Sequence, residues 1–215
     1  MVFTGHEFAD GGSFITQSLK QQNIKASFFF TGDFYRNTSF KPIIQQLKKE
    51  GHYLGAHADK HLLYADWNKR DSLLVTKEEF KKDLLQNYTE MKQFGITQFN
   101  AAFFLPPYEW YNDSIAAWTK ELGLQLINYS PGTKSNADYT WPALKNYQSS
   151  DTIYQSIIRY EQSHASGLNG FILLIHIGTD PTRTDKFYFQ LPKLLKELKQ
   201  KGYQFKRVDE LLNKR

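Results

Sequence analysis

The chain has 215 residues, 40% of them hydrophobic and 16% aromatic, with no cysteine and a formal net charge of +5. That length is enough for one domain with a substantial core, and the lack of cysteine excludes disulfides, thiolate metal sites and cysteine nucleophiles. The basic excess does not point to nucleic acid, because Lys81 and Lys82, Lys193, Lys196, Lys199 and Lys201, and the terminal Lys214 and Arg215 lie on amphipathic stretches interleaved with acids; no run is long and apolar enough for a membrane span.

The chain opens on Val2, Phe3 and Thr4, which read as a strand already under way. We therefore expect a single domain over 1–215 that is a fragment of a longer protein, with any targeting signal lost with the missing part. Further strands are predicted over 26–31, 53–57, 101–105, 124–129, 171–177 and 204–208. Helical patterns lie between them at 14–22, 40–50, 77–94, 112–122, 152–164 and 187–201. Gly51, Gly95, Gly123 and Gly202 each follow a helical pattern and precede a strand, the stop signal of an α-to-β connection. Asp113 with Ser114 and Ser150 with Asp151 are the expected N-caps. Residues 130–150 form the longest irregular stretch, and a loop of that length in a compact domain is often functional. Strands alternating with helices imply βαβ units and parallel strands. An open sheet and a closed barrel both fit, and both put chemistry at the C-terminal ends of the strands.

Those ends carry the titratable residues. The first strand runs into His6, Glu7 and Asp10 on a turn containing Gly11 and Gly12, and the third into His57, Asp59 and His61. The fourth runs into Pro106, Pro107, Tyr108, Glu109 and Trp110, and the sixth contains His176. Four of the six histidines thus fall at strand ends, and only His52 and His164 lie elsewhere, both expected to be exposed. The i,i+4 spacing of His57 and His61 would put two imidazoles on one side of a helical turn. With an oxygen ligand from Glu7 or Asp10 they would make a catalytic zinc site with an open position.

In order and spacing these segments resemble the five motifs of the polysaccharide deacetylase (NodB-homology) domain, carbohydrate esterase family 4, over almost the whole chain. Thr4 to Glu7, followed by Ala26 to Phe29, is similar to the T-F-D-D and A-T-F-F pair. His57 to His61 is similar to H-[ST]-x-x-H, and Leu105 to Glu109 to R-P-P-Y-G. Asp138 and Tyr139 match an Asp followed by an aromatic, and Leu174 to His176 match L-x-H. The resemblance implies an α/β fold, the irregular (β/α)7 barrel that is a deformed TIM barrel, and metal-dependent removal of O- or N-linked acetyl groups from a polysaccharide or oligosaccharide. It assigns the metal, Zn²⁺ ahead of other divalent ions, to Glu7, His57 and His61. His6 becomes the base, His176 the acid, Asp138 its orienting carboxylate, and the Tyr108 backbone N–H an oxyanion donor. Two arrangements stay open: His6 as a third histidine ligand with Glu7 as base, and Asp10 in place of Glu7 on a flexible Gly11–Gly12 turn. Trp110, Trp141 and Tyr139 are candidates to stack on sugar rings, with Trp67 and Tyr111 behind them.

The departures point to an altered site. His6 stands where the family has its base Asp, and Leu105 where it has the Arg that pairs with that Asp. Losing both removes a clash between an Arg and an imidazole gaining a proton. Two other functions compete: a catalytically impaired, glycan-binding descendant, and a glycosidase using Glu7 with Glu109 or Asp138. A fragment of a secreted polysaccharide-degrading enzyme would favour esters such as acetylated xylan, a periplasmic or secreted location, and other domains of the same polypeptide as partners.

Overall fold

The structure, a computed structural model, describes residues 1–212; Lys214 and Arg215 lie outside the described residues. In chain order the elements are β1 (Val2–Gly5), α1 (Gly12–Gln21), β2 (Ser27–Phe30), α2 (Gly32–Arg36), α3 (Lys41–Lys49), β3 (Tyr53–Ala56), α4 (Lys77–Lys92), β4 (Phe103–Phe104), α5 (Asp113–Glu121), β5 (Gln125–Leu126), α6 (Ser150–Ser163), β6 (Leu174–His176), α7 (Leu191–Gln200) and α8 (Val208–Leu212). Short 3-10 turns occupy Thr38–Phe40, Pro107–Glu109, Ser135–Tyr139 and Phe187–Gln190.

The expected alternation is present, with three differences. The seventh expected strand does not form: residues 204–207 alternate between exposed and half-buried, and Val208 opens α8, its N–H donating to Ser27 Oγ at 2.9 Å. A strand needs a partner ladder, and that amide takes a side-chain acceptor instead. Second, α2 was not foreseen, since five residues carry no readable period; its start is set by Thr31, whose side chain accepts from Phe34 N at 3.1 Å. Third, the caps of α5 and α6 are Asn112 and Ser149, each one residue before the expected one. The four glycine stops hold, as at Gly51 (φ +78°) and Gly202 (φ +91°), where the backbone is left-handed and a Cβ would be strained.

The chain divides into two compact units. The central unit, Phe28–Asn128, orders its strands β2, β3, β4, β5. Those pairings whose register is defined are parallel: Ala56 opposite Phe104, and Phe103 opposite Gln125. Phe28, Phe29 and Phe30 are all fully buried, and Phe30 stacks on Phe34 at 4.1 Å. The Phe29 ring lies so close to Gly55 that a Cβ there would sit 2.4 Å from its Cε1. α4 begins with a capping box between Thr76 and Glu79 and buries Phe80, Leu84, Asn87, Tyr88 and Met91, one face of a 3.6-residue period.

The terminal unit comprises Met1–Ser27 and Tyr129–Arg215. Here β1 pairs in parallel with β6, with Val2 opposite Leu174 and Thr4 opposite His176. Leu191, Leu194, Leu195 and Leu198 of α7 are buried at i, i+3, i+4 and i+7, each contributing about 1.5–3 kcal/mol of hydrophobic stabilisation. Parallel pairing brings the C-terminal ends of β1 and β6 to one edge of this unit, and those of β3 and β4 to one edge of the other. His6 follows β1, His176 closes β6 and His57 follows β3.

Candidate active site

In the central unit, His57 and His61 come together with ring centroids 5.0 Å apart. No helical turn does this: residues 57–61 are irregular, and Ala58 (φ +68°) and His61 (φ +54°) take left-handed backbone conformations. Such conformations cost a non-glycine residue about 1 kcal/mol or more, so the surroundings must hold them. They do so from several sides. Gly32 N donates to Ala58 O at 3.0 Å and Asp33 N to Asp59 O at 3.2 Å. Lys60 N donates to Asp83 Oδ1 at 3.0 Å, and His57 N to the buried Asn87 Oδ1 at 2.9 Å. Asp59 is itself buried and bound by Arg36 at 2.6 Å. Burial alone would lower the Arg36 pKa, but its hydrogen bonds to Asp59, Asp33 and Glu90 outweigh that and raise it. Sequence reasoning missed Asn87, Arg36 and Asp83, which lie outside the strand ends it searched.

His57 Nδ1 lies 2.7 Å from the Leu105 carbonyl. Donation to that carbonyl puts the lone pair on Nε2, and a backbone acceptor behind one ring nitrogen is the usual support of a metal-ligating histidine. Position 105 thus acts here through its main chain, while its side chain is fully buried. The neighbouring Pro107–Glu109 turn carries two further left-handed residues, Tyr108 (φ +58°) and Glu109 (φ +54°), with Glu109 O held by Asn128 Nδ2 at 2.7 Å. The Tyr108 ring stands 4.4 Å from His61 and 5.7 Å from Trp67. Trp110 is covered by Trp67 (5.3 Å) and by the Arg70 guanidinium (4.4 Å), so its faces are largely used internally. Trp67, 52% exposed, and Tyr108, 44%, present the open rings.

In the terminal unit, Asp138 is buried and spends both oxygens on one residue. Oδ1 is 2.6 Å from His176 Nδ1, and Oδ2 accepts from His176 N at 2.9 Å. The Tyr139 ring lies 5.6 Å from His176, and Trp141 is half-buried beyond it. A carboxylate so committed does not serve as one of the two solvent-facing acids of a glycosidase. Asp10 is committed too. It accepts from Thr179 N at 2.9 Å, Tyr188 OH at 2.9 Å and Lys186 Nζ at 3.0 Å. Burial, then the Asp10 hydrogen bond, push the Tyr188 hydroxyl well above the usual phenol range. The Gly11–Gly12 turn is pinned rather than flexible: Gly11 N donates to Ile177 O at 3.0 Å, and a Cβ there would lie 2.5 Å from the Tyr188 ring. Asp10 thus anchors its loop through these three partners. His52 is also corrected: it is buried against Phe28, ring centroids 5.2 Å apart, whereas His164 is exposed and stacks on Tyr160.

Among the described residues, no group of three or more His, Asp or Glu side chains is gathered closely enough to hold an ion by itself. The His57–His61 pair, with one tautomer fixed, fits two nitrogen ligands of a zinc-type ion. Glu7 belongs to the terminal unit and is exposed.

A family model described as Polysaccharide deacetylase matches residues 12–127, more than half of the chain. The chain belongs to the polysaccharide deacetylase family. It is 31% identical over 195 residues to a peptidoglycan-N-acetylglucosamine deacetylase of Bacillus cereus, covering 90% of this chain and 78% of that protein. It spans only 35% to 64% of the length of the other curated relatives described. Among solved structures it is similar to a peptidoglycan N-acetylglucosamine deacetylase in complex with a naphthalenyl N-oxidanyl-benzamide, with a TM-score of 0.74 and 21% identity over 98% of this chain and 85% of that one. It is similar as well to a CE4 family pseudoenzyme from Bacillus anthracis, with a TM-score of 0.73 and 18% identity over 99% of this chain and 65% of that one. The fold of this member of the polysaccharide deacetylase family is the irregular (β/α)7 barrel expected from its motifs, here with six strands among the described residues.

Proposed function

We propose that this deacetylase-family chain is one catalytic domain that hydrolyses acetyl groups from a carbohydrate polymer or oligomer, using a divalent ion. The observation that carries this reading is the Asp138–His176 pair. A buried carboxylate that fixes the tautomer and orientation of a partly exposed imidazole makes a proton donor for a leaving group. The 31% relative is named for N-acetylglucosamine in peptidoglycan, so we place the acetamido group of a wall glycan ahead of ester-linked acetyl groups in plant-wall polymers. Such a substrate goes with a periplasmic or secreted location.

Glu7, His57 and His61 would hold the ion, Zn²⁺ ahead of others for a nitrogen-rich set. When bound, it supplies Lewis acidity toward an acyl carbonyl and makes water more acidic. His6 takes the proton of the attacking water, a task suited to imidazole near neutral pH. His176 gives a proton to the departing nitrogen, and Asp138 steadies the charge that develops on its ring. The Tyr108 N–H, set by a left-handed backbone, donates to the developing oxyanion. Tyr139 and Trp141 flank the His176 side, and Trp67 and Tyr108, more open than Trp110, offer rings for a sugar face.

The second reading is a glycan-binding descendant without turnover. His6 and Leu105 in place of the family's Asp and Arg favour it, and a pseudoenzyme shares the fold. Acetate release from an N-acetylglucosamine oligomer, acetylated xylan and an aryl acetate, measured on metal-loaded and chelated protein, separates the two. Release that chelation stops supports the hydrolase. Bound metal with no release from any of the three supports the descendant.

A further inference from the structure

We infer that Arg183 is a positioning residue for the Asp138–His176 pair, holding the segment that carries Asp138, Tyr139 and Trp141 in place. Arg183 is fully buried, the largest such side chain among the described residues. A buried guanidinium is tolerated only when its five donors are met. Here three of them go to residues 140–150 and the others face Asp185, whose Oδ1 lies 3.5 Å from Nη2. Nη1 donates to Thr140 O and to Gln148 O (3.1 Å), and Nη2 to Ser150 Oγ (3.0 Å). Nε donates to Asp185 O (3.1 Å), and the Tyr147 ring lies 5.5 Å from the guanidinium carbon.

The loop so gathered is the long irregular stretch that the sequence marked as a candidate. Thr140 is the joint. Its carbonyl receives Arg183, its hydroxyl donates to Ala137 O at 2.7 Å and accepts from Gln148 N at 3.1 Å, and its N–H donates to Ala137 O at 3.0 Å. Ala137 precedes Asp138, so the route from Arg183 to the carboxylate is two residues long. Asp185 closes the far end by accepting from Ser150 N at 2.7 Å. The structural need for a planar, five-donor fork is what separates Arg from Lys at this position.

This inference rests on the role proposed above for the pair, but its first test needs no turnover. In protein labelled at histidine nitrogens, the His176 Nδ1 proton shared with Asp138 should give a downfield resonance, assigned by its loss in Asp138→Asn. Arg183→Lys, provided it melts as a folded protein, should shift or broaden that resonance; the same resonance at the wild-type position overturns the inference. Should Arg183→Lys fail to fold, Thr140→Val removes the hydroxyl that ties Ala137 O to Gln148 N while leaving Arg183 in place, and its resonance decides in the same way. On a substrate that is turned over, Arg183→Lys should lower kcat about tenfold with KM nearly unchanged. Added to Asp138→Asn it should cost little more, and multiplicative losses overturn the inference. A wild-type protein that releases no acetate counts against the proposed function, while the resonance still decides the role of Arg183.

Discussion

Asn87→Leu tests whether the His57 loop is held from α4. Asn87 is fully buried; its Oδ1 accepts from His57 N at 2.9 Å and its Nδ2 donates to Phe30 O at 3.2 Å. Leucine keeps the branching and the number of side-chain heavy atoms, so no cavity is opened and the change removes the two hydrogen bonds. Each contributes about 1 kcal/mol, and a buried donor left without a good partner costs about 1–3 kcal/mol more. His57 N also reaches Phe30 O at 3.2 Å, which sets that penalty at its low end. The sum is about 2–3 kcal/mol, or a melting temperature lower by about 5–10 °C in a chain of this size. Measured in chelator, so that ligand binding does not mask it, this is a stability effect alone. Zinc titration of the folded variant should then show affinity weakened about tenfold or more, because the His57 backbone has lost its support. A variant that melts within about 1 °C of wild type and binds zinc equally well would refute the reasoning.

Gly32→Ala would place a Cβ 1.8 Å from Asp59 Oδ1 and must break the Arg36–Asp59 contact, lowering stability by about 1–3 kcal/mol in denaturant melts; an unchanged midpoint would show that the loop is not held there. Glu7→Ala should reduce bound metal, whereas His6→Ala should lower turnover with metal retained; elemental analysis showing the reverse pattern would make His6 the ligand and Glu7 the base. Burial raises the Asp83 carboxyl above its ordinary value against the pull of the Tyr64 hydroxyl and Lys60 N–H, so protonated Asp83 favours the fold. That contribution is complete below the ordinary Asp range and is lost as pH rises through the raised folded pKa. The stability of wild type relative to Asp83→Asn should therefore fall across that window, and a pH-independent difference contradicts it. Trp67→Ala should raise KM for an oligosaccharide several-fold with little change on an aryl acetate, since only the longer substrate can reach an exposed ring.

Much of the fold was readable because it is written locally. Leu191, Leu194, Leu195 and Leu198 announce a helix by spacing, and Gly51 and Gly202 stop helices for the same reason wherever they occur. The seventh strand failed because a short stretch such as 204–208, with only Phe205 and Val208 apolar, does not report whether a neighbour offers a ladder; Val208 found the Ser27 hydroxyl instead. Helix α2 escaped because five residues show no period, although its cap, Thr31, was in view.

For the site, the sequence by itself determined which side chains stand at the strand ends. Parallel βαβ connections force the loops there, so His6, His57, His61 and His176 could be named from order alone. Only the tertiary structure decided what those residues do to one another. Left-handed Ala58 and His61 bring the two imidazoles together where a helical turn was expected, and their conformations are held from α2 and α4. Asp10 is bound by Thr179, 169 residues away, and by Tyr188 and Lys186. Arg183 carries no motif at all, and its role depends on carbonyls 35 and 43 residues distant. Contacts of that span arise from packing, where the energy of a buried polar group is set by whichever partner the fold delivers, and no local pattern encodes that partner.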